Sequence, residues 1–291
     1  MKPVDILLAV AVAVIWGLAF VASRIALDEL SPALMTMLRF AVAAVPCLLV
    51  RKPDVSWPLL IAISGTLFLG QFLAQAYGLA HGVPVGLTSV IVQSQALFTI
   101  AFAVLAFREM PTPVQTAGIG IATVGLLMIC FTVGYDFSVG AFVVLMISPV
   151  SFAIGNLLLR RARDVPMFDL FAWLCLVPPL PLLAVALVAD GPQATWTALT
   201  QMSLTGFACI IALGAISTSV AYWLWGRLLR NHTPAQVVPF ALLVPFVGAA
   251  ASALVFGEQF GPLRLGGMVI VVCGIAIMLL SKQSQAIAEG A

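Results

Sequence analysis

Long apolar runs follow one another along this chain, separated only by short polar or proline- and glycine-containing breaks. A helix needs about 20 consecutive, mainly apolar residues to cross a bilayer, and the sequence offers ten such runs. Only 8% of the 291 residues are charged, whereas a soluble domain carries about 25%. The chain therefore cannot form a water-soluble enzyme. It also lacks the basic patch that a nucleic-acid-binding protein uses to neutralise phosphates.

These runs predict an all-α integral membrane protein with ten transmembrane helices and no extramembrane domain. Several runs begin at a proline, as after Ser31 and Thr233, and others follow glycine, as at Gly134. The first run is expected to stay as a helix, because no small-residue cleavage site follows it. The predicted spans cover residues 5–22, 32–50, 57–80, 84–106, 112–132, 138–159, 167–189, 203–226, 233–256 and 262–281.

Basic residues are distributed unequally between the two sets of connecting segments. If the amino terminus is cytoplasmic, only Arg24 and Arg264 fall on the opposite side, and Arg39 lies inside a span. Because cytoplasmic loops carry the excess of Lys and Arg, the asymmetry predicts cytoplasmic termini in a bacterial-type inner membrane. The cytoplasmic set would be Lys2, Arg51, Lys52, Arg108, Arg160, Arg161, Arg163, Arg227, Arg230 and Lys282.

Two parts of the chain match at a constant separation of 149 positions, as from 118 to 267. The matched residues are Phe107, Glu109, Gly118 and Gly125 in the first copy and Phe256, Glu258, Gly267 and Gly274 in the second. A weaker correspondence links Phe20 with Phe152 and Pro32 with Pro166. We therefore expect two repeats of five helices, residues 1–134 and 135–291. Because five is odd, the second repeat would be inverted, as in secondary transporters whose substrate site lies between the repeats.

Several short motifs resemble the EamA branch of the drug/metabolite transporter superfamily, over essentially the whole chain. They include Trp16-Gly17-Leu18-Ala19-Phe20, Leu38-Arg39-Phe40, Arg108-Glu109 and Gly257-Glu258. Residues 86–89, 93–96, 242–245 and 247–248 are similar to the bacterial amino-acid exporters of that branch, which include exporters of aromatic amino acids and of O-acetylserine and cysteine. The resemblance implies a ten-helix inner-membrane exporter of metabolites, and its motifs are more specific for fold than for substrate.

The third span has a face of small and polar residues. At 100° per residue, these residues share an arc of about 160°, opposite an apolar arc suited to lipid. Two glutamines, a tyrosine and a histidine on one face favour a cavity over close helix packing, although small residues also suit packing. The face contains Gly70, Gln71, Ala74, Gln75, Tyr77, Gly78, His81 and Gly82.

Further binding candidates lie on other spans. Gln95 and Thr99 follow at helical spacing on the fourth span, where Gln95 can donate to and accept from a zwitterion or can join helices. Trp16 lies deep in the first span, which favours a cavity or core position. The aromatic group Tyr222, Trp223 and Trp225 is instead typical of an interfacial belt.

Arg39 and several prolines could have either structural or functional roles. Arg39 lies about 10 Å into the second span, where a charge must face protein or water. It could bind a substrate carboxylate, or cap carbonyls or reach the interface. Pro149, Pro239 and Pro245 interrupt spans and are candidate hinges, or merely bends.

No Asp, Glu or Lys lies deep in a predicted span. A proton antiporter for cations would need a deep carboxylate, and a carrier of phosphorylated substrates would need several deep cations. The substrate should therefore be small and net neutral, as neutral amino acids are, and export down a gradient is favoured although His81 could titrate. The five cysteines are isolated, so neither a metal nor another cofactor is expected.

The predicted function is export of neutral amino acids, including aromatic ones, by a monomer within the lipid bilayer. A small-drug or other metabolite exporter and a non-transporting membrane subunit remain as alternatives. An intramembrane enzyme is disfavoured, because the chain has only two histidines and no hydrolase motif.

Overall fold

The computed structural model describes residues 1–108, 110–132, 137–162 and 165–289, and for residues 234, 235, 238 and 279–289 it describes the backbone alone. Glu109, Gly134 and Arg163, which the sequence analysis used, lie outside the described residues. The proposed boundary between residues 134 and 135 does so as well, and it stays a prediction. All regular structure in the described ranges is helical, and no strand is present there.

Ten apolar helices correspond to the ten predicted spans, and eight of them are long enough to cross a membrane by themselves. The predicted all-α membrane fold is therefore confirmed. Two shorter helices are also present in the described residues. Pro234–Val237 falls within the predicted ninth span, whereas α8 (Pro192–Thr200) was not predicted, because Gly191 and Pro192 were interpreted only as a break. The helices are α1 (Pro3–Ala26), α2 (Pro32–Leu48), α3 (Trp57–Ala80), α4 (Val85–Phe107), α5 (Pro113–Cys130), α6 (Val139–Ala162), α7 (Met167–Ala189), α8 (Pro192–Thr200), α9 (Leu204–Asn231), α10 (Pro239–Phe256) and α11 (Pro262–Glu289).

Helix starts follow the local sequence. The Ser31 hydroxyl accepts a hydrogen bond from a first-turn backbone N–H of α2, and Ser203 does the same for α9. At α5, Thr112 and Gln115 satisfy each other's backbone donors, with proline at the first helical position. Because polar caps satisfy donors that lipid cannot, these residues fix where the spans begin.

The repeats are inverted, and the pair α5 and α11 shows this directly. A Cβ atom on Gly118 would lie 2.8 Å from the Gly274 carbonyl oxygen, and one on Gly125 would lie 2.7 Å from the Gly267 carbonyl oxygen. The earlier residue of one helix thus meets the later residue of the other, so the helices run antiparallel. Gly267 is the repeat equivalent of Gly118, and Gly274 is that of Gly125. The contact of Gly118 with Gly274 is therefore equivalent to the contact of Gly125 with Gly267, as a two-fold axis in the membrane plane requires.

Departures from α-helical geometry also occur at equivalent places. A π-helical segment runs from Gly65 to Gly70 in α3 and another from Ala212 to Val220 in α9. The fourth helix of each repeat ends in a left-handed residue, Arg108 at α4 and Gly257 at α10. Because π-helical turns are rare and often mark functional sites, their repetition directs attention to the space between α3 and α9.

We call the end of the bundle that carries the amino terminus the tail end, and the opposite end the far end. At the far end, residues 85–92 of α4 are all buried, whereas within residues 95–107, towards the tail end, only Ala103 is buried. Nearer the middle of the bundle, a Cβ atom on Gly17 of α1 would lie 2.6 Å from the Val247 side chain of α10. The first part of α4 is thus buried among its neighbours, whereas its last part is mainly not buried.

Candidate functional site: a cavity between the two repeats

A cavity of about 480 Å³ lies between the repeats at mid-depth, and helices of both repeats line it. This volume falls within the range of about 300–1,000 Å³ that is typical of small-molecule sites. Phe20 of α1 and Phe152 of α6, which the sequence analysis paired as repeat equivalents, both line its wall. Other lining side chains are Trp16, Arg39, Gln71, Phe72, Gln75, Gln93, Gln95, Asn156, Ser217, Tyr222 and Trp225.

Glutamines supply much of the polar wall. Gln71 and Gln75 lie one turn apart on α3, directly after its π-helical segment, and they are 5% and 6% exposed. The Gln71 Oε1 and Gln95 Oε1 atoms are buried and have no hydrogen-bond partner within the described part of the chain. A buried acceptor without a partner costs free energy, so these two oxygens mark where a bound donor would be stabilised.

Arg39 of α2 is buried in the same wall, with 4% of its surface exposed. Its Nε donates to Thr218 Oγ1 at 3.1 Å and its Nη2 to Ser217 Oγ at 3.4 Å, both in the π-helical segment of α9. The guanidinium carbon lies 4.2 Å from the ring centroid of Phe72. No carboxylate of the described residues forms an ion pair with it.

An aromatic group forms the apolar wall. The Trp16 ring centroid lies 5.5 Å from that of Tyr222 and 5.1 Å from that of Trp225. Trp16 Nε1 also donates to the Ser217 carbonyl oxygen at 3.1 Å, which joins α1 to α9. Aromatic faces bury apolar side chains well, and a Trp N–H within a protein needs a partner such as this one.

Acidic side chains of the described chain lie away from the cavity. Asp5 contacts His232 at the tail end, with 3.0 Å between Oδ2 and Nε2. Glu29 and Glu258 lie in far-end connections, where they accept hydrogen bonds from the first residues of helices. The described residues contain no group of His, Cys, Asp or Glu that could hold a metal ion.

Five predicted site residues come together in this cavity: Trp16, Arg39, Gln71, Gln75 and Gln95. They come from four helices of the first repeat and face α6, α9 and α10 of the second.

The structure does not bring the other three predicted residues to the cavity, so their binding role stays a prediction. Tyr77 is 38% exposed and stacks on the exposed His81 with ring centroids 3.8 Å apart. The Thr99 hydroxyl donates to the Gln95 carbonyl oxygen of its own helix. On α3, Gly70 and Gly78 pack against α6, so the polar arc meets a neighbouring helix as well as the cavity.

The three prolines proposed as hinges lie in different surroundings. Pro149 is buried inside α6, which continues through it. Pro239 lies in the 3₁₀ segment Val238–Leu242, where α10 is irregular. Pro245 is buried, and its carbonyl oxygen accepts a hydrogen bond from Ser89 Oγ at 3.4 Å. Their role as hinges stays a prediction.

Sequence reasoning missed several lining residues. Tyr222 and Trp225, which the sequence analysis assigned to an interfacial belt, contact Trp16 in the cavity wall, whereas Trp223 is 42% exposed. The i, i+3 spacing of Tyr222 and Trp225 was the available signal for a shared face. Asn156 was missed too, although it is the only asparagine within a predicted span.

A second, smaller cavity of about 290 Å³ lies between α2, α7 and α9, towards the tail end. Phe168 and Phe171 line it together with Arg230. Tyr222 lines both cavities. This side chain therefore separates the central cavity from the space nearer the tail end.

The fold and the cavity define a multi-pass membrane protein made of two inverted repeats around a central, mixed-polarity pocket. The model of the family described as "EamA-like transporter family" matches residues 4–131 and 139–280. The chain belongs to this family. The resemblance seen in the sequence is thereby confirmed, and the chain is a transporter rather than an enzyme.

Curated relatives and a solved structure cover nearly the whole chain. It is 31% identical over 280 residues to the "Probable amino-acid metabolite efflux pump" of Salmonella typhimurium, with 94% of each chain covered. It is 26% identical to the "Probable terminal-alkyne amino-acid exporter" of Streptantibioticus cattleyicolor, covering 93% of this chain and 91% of that one. One crystal structure aligns with a TM-score of 0.67 at 16% identity, covering 97% of this chain and 99% of the other, which shows a shared fold.

Proposed function

We propose that this protein exports small neutral amino acids, including aromatic ones, through a bacterial-type inner membrane with both termini in the cytoplasm. It works in the lipid bilayer as a monomer, without a cofactor. The observation that carries the proposal is the central cavity, whose wall combines unpartnered glutamine oxygens with an aromatic surface. A zwitterion with an apolar side chain matches both parts, and the names of the two relatives agree with amino-acid substrates.

Transport proceeds by alternating access between the repeats. Burial of residues 85–92 of α4 at the far end supports a state that is loaded from the tail end, which we place in the cytoplasm. Opening the far end requires α4 to move away from α10. The irregular segments at Gly65–Gly70, Ala212–Val220 and Val238–Leu242 are the places where the backbone can change with the smallest loss of helical hydrogen bonds.

Counterflow in proteoliposomes tests this function. Vesicles loaded with unlabelled phenylalanine should accumulate labelled phenylalanine or leucine, and a Gln71→Ala/Gln95→Ala variant should lose about tenfold or more of this flux. A lost hydrogen bond to a charged group is worth about 1.5–3 kcal/mol, and 1.4 kcal/mol is tenfold. Gln201→Ala, an exposed glutamine outside the cavity, is the matched control.

Absence of counterflow with every neutral amino acid would overturn the proposal. Flux of hydrophobic amines alone would instead support a small-drug exporter. Stabilisation by amino acids against heat without any flux would support a non-transporting subunit.

A further inference from the structure

We propose that Arg39 selects the substrate by its free carboxylate, so that the cavity accepts α-amino acids and rejects the corresponding amines and amides. The proposal rests on the proposed function, and it assigns a chemical task to one residue of the cavity. It also gives the bound amino acid an orientation: the carboxylate lies at Arg39, between α2 and α9, and the ammonium group lies at Gln71 and Gln95.

Burial without a counter-ion is the first observation. Arg39 is 4% exposed at mid-membrane, where a charged side chain is costly and must face protein or water. Its contacts in the described structure are neutral, being the hydroxyls of Ser217 and Thr218 and the ring of Phe72. A buried cation that is held only by neutral groups keeps a strong attraction for an anion, because the low-dielectric surroundings do not screen it.

The second observation is the number of donors that remain. A guanidinium group has five N–H donors in a planar fork that fits a carboxylate in a bidentate manner. The bonds present in the described residues start from Nε and Nη2. Donors on Nη1 therefore stay available to a ligand in the cavity that Arg39 lines.

The third observation is complementarity within the same cavity. The unpartnered Oε1 atoms of Gln71 and Gln95 are acceptors, and an ammonium group offers three donors. Donors at Arg39 and acceptors at the two glutamines match the two charged groups of an α-amino acid. Since acidic side chains of the described chain lie elsewhere, an amine without a carboxylate would leave the cation of Arg39 unneutralised and would add a second positive charge.

A purely structural role for Arg39 makes a different prediction. If the side chain served only to join α2 to the π-helical segment of α9, its replacement would lower stability and all fluxes alike. It would not change the relative recognition of carboxylate and amide. The discrimination between two ligands is therefore the decisive measurement.

The experiment measures competition for labelled phenylalanine counterflow in proteoliposomes containing the full chain. Unlabelled phenylalanine should compete at least about tenfold more strongly than phenylalanine amide or 2-phenylethylamine. Arg39→Gln should raise KM for phenylalanine about tenfold or more and should bring the competition by phenylalanine and its amide to similar strengths. Arg39→Lys, which keeps the charge but not the fork, should restore part of the discrimination.

Equal competition by phenylalanine and its amide in the unaltered protein would overturn the proposal, as would unchanged discrimination in Arg39→Gln. If Arg39→Gln does not fold, competition by phenylalanine and by its amide in the unaltered protein and in Arg39→Lys still tests the proposal. If no neutral amino acid exchanges at all, the proposed function fails. Thermal stabilisation of the purified protein by phenylalanine, and not by its amide, would then support the role of Arg39 alone, and equal stabilisation by both or none by either would contradict it.

Discussion

Trp16 shows how one side chain joins the two repeats at the cavity. Its Nε1 donates to the Ser217 carbonyl oxygen, and its ring contacts Tyr222 and Trp225. The hydrogen bond is made to a π-helical segment, where carbonyl groups are less regularly satisfied than in an α-helix. Trp16 therefore stabilises the irregular part of α9 and shapes the apolar wall at the same time.

We expect Trp16→Phe to lower phenylalanine counterflow severalfold, since it keeps an aromatic ring but loses both ring area and the hydrogen bond. A hydrogen bond of this kind contributes about 0.5–1.5 kcal/mol, so the thermal midpoint should fall by a few degrees. Trp223→Phe changes an exposed tryptophan of α9, next to Tyr222 in the sequence, and should leave both quantities unchanged. Equal effects of the two substitutions would contradict the assignment of Trp16 to the cavity.

At the scale of single residues, the sequence predicted which side chains could line a cavity better than it predicted what each of them contacts. Helical periodicity placed Gln71, Gln75, Tyr77 and His81 on one arc of α3, but an arc of that width faces both the cavity and α6. The π-helical segment Gly65–Gly70 also changes the rotation of α3 before Gln71, and no residue type in that segment signals it. Facing directions depend on tertiary packing, which periodicity alone does not contain.

Helix ends are the next scale, and at the far end carboxylates from one repeat cap helices of the other. Glu29, after α1, accepts from the Ser203 backbone N–H at 2.7 Å and from its hydroxyl, at the start of α9. Glu258, after α10, accepts from the backbone N–H groups of Val85 and Gly86 at 2.6 and 3.0 Å, at the start of α4. Negative charge is favourable at these positions because the helix dipole is positive there.

The Glu29 cap predicts a pH dependence. Its hydrogen bonds with Ser203 lower the pKa of Glu29 below the ordinary value of 4.5, although the neighbouring Asp28 charge acts in the opposite direction. A lowered pKa in the folded state stabilises the fold above the unfolded pKa, and this contribution is lost as pH falls. Melting curves should therefore show a loss of stability below about pH 4.5 that is smaller in Glu29→Gln. An identical pH profile for both proteins would contradict the cap.

The Glu258 cap predicts a loss of stability on substitution. Glu258→Ala should lower the free energy of unfolding by about 1 kcal/mol, because two backbone donors at the start of α4 lose their partner. Thermal melting in detergent measures the effect, and Asp54→Ala, an exposed carboxylate at the tail end, should change nothing. A melting temperature that is unchanged in Glu258→Ala would show that the cap is not formed in solution.

For whole elements, hydropathy and proline positions predicted the ten spans closely, since their lengths follow from the thickness of the bilayer. The short helix α8 was missed because its nine residues are too few and too polar to produce a spanning pattern. The π-helical segments in α3 and α9 were missed because their composition is compatible with an ordinary apolar helix.

At the scale of the whole molecule, α5 and α11 cross where four glycines let the backbones touch. A Cβ atom on Gly274 would lie 2.7 Å from both the Ala122 Cβ and the Gly118 carbonyl oxygen, and one on Gly125 would lie 2.6 Å from the Val271 backbone nitrogen. These contacts are with backbone or with short side chains, which cannot move aside.

We therefore expect Gly274→Leu and Gly125→Leu to destabilise the protein similarly, by at least about 1–3 kcal/mol, the usual range for overpacking. Fluorescence-detected size-exclusion chromatography would show this as a smaller folded fraction for both variants. Gly120→Leu lies on α5 where a Cβ atom meets nothing within 4 Å and serves as the control. A folded fraction that falls for one variant alone would contradict the two-fold relation of the repeats.

The repeat relation was visible in the sequence because those glycines are held in place by backbone contact, which tolerates no other residue. The cavity was less visible, because the second repeat contributes aromatic and small side chains that resemble ordinary membrane-helix composition. Arg39 was the exception, since a buried cation is rare enough in a span to attract attention by itself.

The lack of acidic side chains around the central cavity, within the described part of the chain, has an electrical consequence. A zwitterion bound beside a fixed guanidinium crosses the bilayer without carrying net charge, and no carboxylate there can exchange a proton with the cargo. Export should therefore be electroneutral: a potassium diffusion potential imposed with valinomycin should leave the initial rate of phenylalanine efflux unchanged. The direction of net movement would then follow the ratio of amino-acid concentrations on the two sides. Net export would therefore begin when the cytoplasmic concentration exceeds the external one.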